Sequence, residues 1–269
     1  MKIRKLTIVI VVLTAIITLI VISAFRQQAQ NKPQATQEEA TEVRRGQVTE
    51  KEREYSREYK KLYADRNGQK LTEISERSKR RGNKQEAGVS IGIPMIPTVG
   101  NSSMPTASEF LKDLSCKADA VVVGSVVKKS AHLTDDETFV FTEYEFSVEE
   151  VLKNNLIFSI EPNKSIQVTR PGGLIKLDDQ LIRVEDKSYQ PLQIKKKYLL
   201  FLNFIPAADG YIVSSVKGDF ILENDSFKKL SVFPLAEELE KGGDPRVLLN
   251  NVRNSISVDC NQTFLGDTK

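Results

Sequence analysis

The residue types able to do covalent or metal chemistry are few and widely spaced. The single histidine, His132, sits in the segment KKSAHLTDDE. A nucleophile relay needs an imidazole beside a serine or cysteine, with a carboxylate to orient it. Asp135 and Asp136 are near in sequence, yet a lone histidine between two strands reads first as a loop residue without chemistry. The run Asp135-Asp136-Glu137 has carboxylate oxygens for calcium but lacks the spaced ligands and glycine of a calcium loop. Glu143, Glu145, Glu149 and Glu150 would be needed in facing pairs for glycoside hydrolysis. On a strand, Glu143, Glu145 and Glu149 only line one wet face. Arg170-Pro171-Gly172-Gly173 lacks the glycine spacing and the Lys-Ser/Thr of a phosphate loop. It reads as a strand-ending turn, with a ligand-contacting loop at Arg170, Gly172 and Gly173 as the other reading. Cys116 and Cys260 form no CxxC and no Cys/His cluster, so no zinc ligand set exists. No catalytic residue, cofactor or metal is therefore assigned, and the chain is not read as an enzyme.

Those residues belong to a part of the chain that turns strongly to β. Ala118 to Val127 (ADAVVVGSVV) is a buried run with Gly124 as a bend or close approach. Thr138 to Leu152 alternates: Val140, Thr142, Tyr144, Phe146 and Val148 share one face, while Phe139 and Phe141 fall out of phase. SIQVT leads into the Arg170 turn and a hairpin with Asp178-Asp179 at its tip. KYLLFLNFI is the most apolar strand and should be central, and GYIVSSVKGDFI adds one or two more. A short helix with Ser108 as cap precedes these strands. A second follows from Pro245 to Ser257, capped by Asp244, with Val247, Leu248, Val252 and Ile256 as its apolar stripe. Strands without alternating helices argue for a small barrel or sandwich. The glycine-bent first strand, the bulged second strand and the flanking helices favour an OB-like barrel.

The order C-x-A-D-A-V-V-V-G-x-V from Cys116, the string FTEYEFSVEEVLKNN, and KKYLLFLNFI followed by a Gly-Tyr strand resemble the TIMP/netrin-like branch of the OB fold. With VTRPGG added, the strings also resemble an uncharacterised family of exported bacterial proteins. The likeness spans residues 108–221, and its motifs are structural. Metalloproteinase inhibition in the animal modules needs an N-terminal cysteine whose free amine reaches the metal. Cys116 lies far inside this chain, so that activity is not implied unless proteolysis frees it.

Ahead of this domain the composition changes twice. Residues 1–5 form a short basic tail. Residues 6–25, from Leu6 to Phe25, carry no charge and would span about 30 Å as a helix, the thickness of a hydrocarbon core. Lys2, Arg4 and Lys5 before the segment place the N-terminus inside and the domain outside a bacterial-type cytoplasmic membrane. A cleaved signal peptide is the rival reading, with Ile22 poorly placed for cleavage after Ala24. Residues 26–86 read as a charged, partly helical stalk, with Tyr55, Tyr59, Leu62 and Tyr63 as one narrow stripe. Residues 87–107 read as a Gly/Pro/Ser linker, 108–260 as the extracytoplasmic β domain and 261–269 as a tail. Export would let Cys116 and Cys260 pair as a disulfide, worth about 4 kcal/mol on chain-entropy grounds. In a reducing compartment they stay thiols. Net charge is only +3, which with export argues against nucleic acid as a partner. The expected partners are the lipid bilayer, through Leu6 to Phe25, and another envelope protein or wall polymer. The expected function is a membrane-anchored binding or interaction module, with a cryptic envelope hydrolase or a purely structural envelope protein as alternatives.

Overall fold

The structure is a computed structural model that describes residues 40–43, 48–63, 70–80, 86–91, 106–186, 190–213, 218–230 and 236–257. All of them belong to one unit beginning at Ala40. In chain order they form β1 (Thr41–Glu42), α1 (Glu50–Tyr63), α2 (Leu71–Arg80), β2 (Glu86–Ile91) and α3 (Ala107–Lys117). The strands β3 (Ala120–Leu133), β4 (Val140–Lys153), β5 (Ser165–Pro171), β6 (Gly173–Leu177) and β7 (Gln180–Asp186) follow. After them come β8 (Lys197–Ile205), β9 (Gly210–Val213), β10 (Phe220–Leu222), β11 (Phe227–Lys229), α4 (Glu237–Glu240) and α5 (Pro245–Ile256). The protein is mostly β, as its alternating and β-branched runs require.

Five strands close on themselves. β3 pairs with β4, β4 with β5, β5 with β9, β9 with β8, and β8 again with β3. Only the β5–β9 contact is parallel. The apolar β8 has β3 along one edge and β9 then β10 along the other, which is why its sequence needs no polar face. Period-two alternation sends Tyr144, Phe146 and Val148 of β4, Val168 of β5, Leu200 and Leu202 of β8, and Tyr211 of β9 into one interior cluster. Each such side chain contributes roughly 1.5–3 kcal/mol on burial. β3 must bend to close the ring. Its register shifts between Val123 and Gly124 and again between Val126 and Lys128. A side chain at Gly124 would collide with the Ser147 carbonyl oxygen, so the bend needs glycine there.

A helical layer covers one outer face. Phe110, Leu111 and Leu114 of α3 and Leu248 and Val252 of α5 pack on Val121, Leu199, Phe201 and Phe220. The cap of α3 is Thr106 rather than the expected Ser108. Thr106 Oγ1 accepts from the Glu109 N–H, and the Glu109 carboxylate accepts from the Thr106 N–H, a reciprocal box set by the T-x-x-E spacing. Asp244 caps α5 as its sequence suggests, but Val247 turns outward and is 57% exposed.

On the other face, the described residues between 40 and 91, expected as stalk and linker, are part of the body. A second sheet, ordered β1-β6-β7-β2, is built from the β6–β7 hairpin and one parallel strand on each side. Asp178 and Asp179 turn the hairpin with φ of 48° and 63°, the left-handed pair that a tight two-residue turn needs. β2, inside the expected linker, pairs with β7 from Glu86 to Ile91. α1, inside the expected stalk, buries Tyr55 and Tyr59 completely. The four-residue spacing puts both rings on one helical face. They pack on Phe141 with centroids 5.8 and 5.2 Å away. Few apolar residues suffice because each is a large ring. Residues 1–39 and 258–269, which include the expected anchor, both tails and Cys260, lie outside the described residues. Among the described residues no helix is long and apolar enough to cross a membrane.

Candidate interaction surface

The structure gathers chemically able side chains around His132, which lies on β3 rather than in a loop. Its Nδ1 is 2.5 Å from Glu52 Oε1 on α1, and its Nε2 is 2.9 Å from Ser130 Oγ. The ring stacks on Phe141 at 5.4 Å. A serine, a histidine and a carboxylate in this order have the connectivity of a nucleophile relay. Two features favour a clamp instead. Glu143 Oε2 stands 3.6 Å from the same Nε2 while its Oε1 is tied to Lys51 at 2.6 Å, so a carboxylate competes for the nitrogen that would take the serine proton. The N–H that follows Ser130, a natural oxyanion donor, is already given by Ala131 to Thr41 Oγ1 at 2.9 Å. Burial alone would raise the Glu52 carboxyl, but hydrogen bonds from Thr49 and His132 outweigh it and hold it below the usual carboxylate range. The cluster fastens α1 to the ring.

Asp135, Asp136 and Glu137 serve the same attachment. Asp136 Oδ1 accepts from the Thr134 and Thr138 hydroxyls at 2.8 Å each. Lys60 reaches Asp135 at 2.7 Å, and Thr72 donates to Glu137 at 3.0 Å. Each of the three carboxylates thus has at least one oxygen bound to a protein donor.

The loop read as a ligand contact is a buried corner between the two sheets. Arg170 is 2% exposed and meets the 1% exposed Asp219 at 3.0 Å. It continues the inward-facing row of Ile166 and Val168 on β5. Burial pushes the Asp219 carboxyl up to about 7, a rise that the Arg170 guanidinium only partly offsets. Gly172 takes φ of 89°, gives its N–H to Val140 O, and accepts from Thr142 Oγ1 at 2.7 Å. A Cβ on Gly173 would meet Thr142 Oγ1 at 2.5 Å. Close approach of neighbouring groups explains both glycines. Cys116 lies half-buried in the last turn of α3.

A surface that sequence reasoning missed lies past the end of β4. Asn155, itself 7% exposed, accepts the N–H groups of Ile157 at 2.8 Å and Phe158 at 3.3 Å on its Oδ1. Asn154 Oδ1 accepts the Ile160 N–H at 2.8 Å, and its amide donates to Ile160 O at 3.0 Å. Tyr211 donates to Phe158 O at 3.3 Å. The Phe158 ring stacks on Phe204 at 5.4 Å. The loop is therefore ordered from within. It nevertheless holds Leu156 at 101%, Ile157 at 81% and Phe158 at 44% exposure. Three consecutive apolar side chains pushed into water by a pre-ordered loop are a feature that folding alone does not select. The sequence signal was present: two asparagines, then Leu-Ile-Phe, between two strands. Hydropathy alone assigns such a triplet to the core.

The tip is remote from the start of the body. β1 and its Thr41 meet β3 at Ala131, opposite Thr142 near the start of β4. The run of β4 from Thr142 to Lys153 separates that end from the tip, roughly 40 Å of strand at about 3.3 Å per residue. No protein-family model matches the chain, and no curated protein is significantly similar to it.

Proposed function

We propose that this protein is a membrane-tethered, extracytoplasmic binding module that offers the apolar tip of Leu156, Ile157 and Phe158 to another envelope protein. The tip carries this reading. Its exposure opposes its own hydration, and its asparagine-fixed backbone removes the ordering cost that a flexible loop would meet on binding. The uncharged segment from Leu6 to Phe25 is the proposed anchor, which would hold the body and its tip at a membrane. The basic Lys2, Arg4 and Lys5 before that segment support the extracytoplasmic placement of the body.

The body is, on this proposal, an OB-type barrel of the TIMP/netrin-like branch. The ring order, with its single parallel contact between the third and last of its strands, supports the barrel type. In an oxidising exterior Cys116 pairs with Cys260.

The test is a photo-crosslinking residue placed at Ile157 in the full chain within intact membranes, with Lys128 as the control position. The expected result is a protein adduct of one defined size from position 157 only. Adducts with lipid alone would replace the protein partner by the bilayer. Equal labelling from both positions would refute the tip as a docking surface and favour a purely structural role.

A further inference from the structure

We propose, resting on the reading of the tip as a docking surface, that the Tyr211 hydroxyl is its positioning group and holds residues 154–160 in the arrangement that docking uses. Tyr211 belongs to the body. It is 1% exposed, and its ring lies in the interior cluster with Tyr144, Phe146 and Leu200. Its backbone is fixed from both sides, because β9 is the strand that closes the ring. Tyr211 stands opposite Val168 of β5 in the parallel pairing and opposite Phe204 of β8 in the antiparallel one. The end of its side chain nevertheless serves the loop. Among the described residues its hydroxyl has two hydrogen-bond partners, both in the loop: it donates to Phe158 O at 3.3 Å and accepts from Asn155 Nδ2 at 3.5 Å.

A phenylalanine would fill the same interior, as Phe146 does in the same cluster, and would need no polar partner. The hydroxyl therefore adds what the core does not require. Burial raises its ionisation above the ordinary tyrosine value, with the bond from Asn155 only partly offsetting it, so the proton given to Phe158 O is kept. Asn155 extends the hold. While its Nδ2 is given to Tyr211, its Oδ1 takes the Ile157 and Phe158 N–H groups at 2.8 and 3.3 Å. One hydroxyl thus fixes the Phe158 carbonyl directly and the Phe158 N–H through a single amide. Ring contacts run the same way: Phe204 lies 5.1 Å from the Tyr211 ring and stacks on Phe158 at 5.4 Å. The bonds between Asn154 and Ile160 are internal to the loop and hold its shape. Bonds to the body set where the loop points. At 3.3 and 3.5 Å the two hydroxyl bonds are long and individually weak. Their loss should loosen the loop without unfolding the barrel, and it strips the half of Asn155 that faces the interior of its partner.

The experiment compares the full chain with Tyr211→Phe and with Tyr198→Phe. Tyr198 lies in the same cluster, but its hydroxyl accepts from the Gln193 N–H at 2.7 Å and so orders a different loop. Amide hydrogen exchange over residues 154–160 is read by mass spectrometry in the purified protein. Adduct yield from a photo-crosslinking residue at Ile157 is read in intact membranes. In Tyr211→Phe, exchange over 154–160 should quicken by at least about threefold. The adduct yield should fall by at least about threefold, since a loosened loop meets an ordering cost on binding. Tyr198→Phe should leave both readings unchanged. A core role alone would instead quicken exchange in β3 and β8 along with the loop, or would make the two variants alike, and either result overturns the proposal. Unchanged loop exchange in Tyr211→Phe overturns it, as does faster exchange with an unchanged adduct yield. A parent chain that gives no protein adduct from position 157 would end the docking reading itself, and the exchange comparison then decides by itself whether the hydroxyl holds the loop.

Discussion

Tyr59 on α1 donates a hydrogen bond to Thr169 on β5 at 2.9 Å, between residues 110 apart in the chain. Thr169 in turn donates to the Tyr211 carbonyl at 3.3 Å, so the helix is tied to the parallel β5–β9 seam that closes the ring. A segment composed like a solvated spacer is thus a structural part of the body.

Tyr59→Ala should destabilise the protein by about 3–5 kcal/mol, as expected for truncating a fully buried aromatic side chain. Tyr59→Phe should cost about 1 kcal/mol, since Thr169 keeps its own acceptor. Urea unfolding of both variants checks this. Equal stability of Tyr59→Ala and the parent would mean that α1 does not dock.

The contact between Gly210 and α1 makes a paired prediction. A Cβ at 210 would overlap the Tyr55 hydroxyl. Gly210→Ala should therefore lower the melting temperature, and adding Tyr55→Phe should restore part of the loss. Non-additivity in that cycle is the readout. Strictly additive losses would place Tyr55 elsewhere.

Removing one partner of the buried Arg170–Asp219 pair should be costly. Above pH 7, where the carboxylate is ionised, Asp219→Ala removes the charge that the buried Arg170 guanidinium meets at 3.0 Å and should lose about 3–5 kcal/mol. Replacing both, as Arg170→Met with Asp219→Leu, should recover most of that loss. Denaturant unfolding of the three variants decides it, and a double variant as unstable as the single would contradict the pairing.

Two carboxylates should act on pH stability with opposite signs. The Asp219 carboxyl is raised to about 7 in the folded state, against about 3.9 unfolded. The folded protein therefore holds the proton more tightly. That contribution is complete below about pH 4 and is lost as pH rises through about 7. Glu52 is lowered in the folded state. Its contribution is present above the usual carboxylate value and is lost as pH falls through its depressed one. Glu52→Gln should thus be less stable than the parent at neutral pH, the difference closing in acid. Asp219→Asn should flatten the slope between about pH 4 and 7. Melting curves across pH test both, and a reversed slope in either variant would refute the assignment.

Much of the ring was legible in the sequence, because its strands alternate and its turns are punctuated. The β4 pattern from Val140 to Val148, the Asp178-Asp179 turn, the bend at Gly124 and the Asp244 cap all follow from local rules that the structure obeys. The attachment of α1 was not legible. Its mate Phe141 looks like an out-of-phase strand residue until the helix that covers it is known. Arg170 misled in the other direction, since an arginine beside two glycines resembles a surface loop unless Asp219 is seen beneath it. The tip was hidden for the simplest reason. Apolar triplets are normally buried, and only the side-chain bonds of Asn154 and Asn155 turn this one outward.

Because Leu156 and Ile157 face solvent, replacing both with aspartate should change folding stability by no more than about 0.5 kcal/mol. A larger loss, read from thermal melts, would mean that the pair supports the core.

The central claim is that these side chains are covered by a partner in the assembled membrane. Hydroxyl-radical footprinting of Leu156, Ile157 and Phe158, in intact membranes and in the purified full chain, tests it most directly. The account requires strong oxidation of all three in the purified protein and selective protection in membranes, while exposed Val247 is oxidised equally in both. Equal oxidation of the tip in the two settings would contradict it.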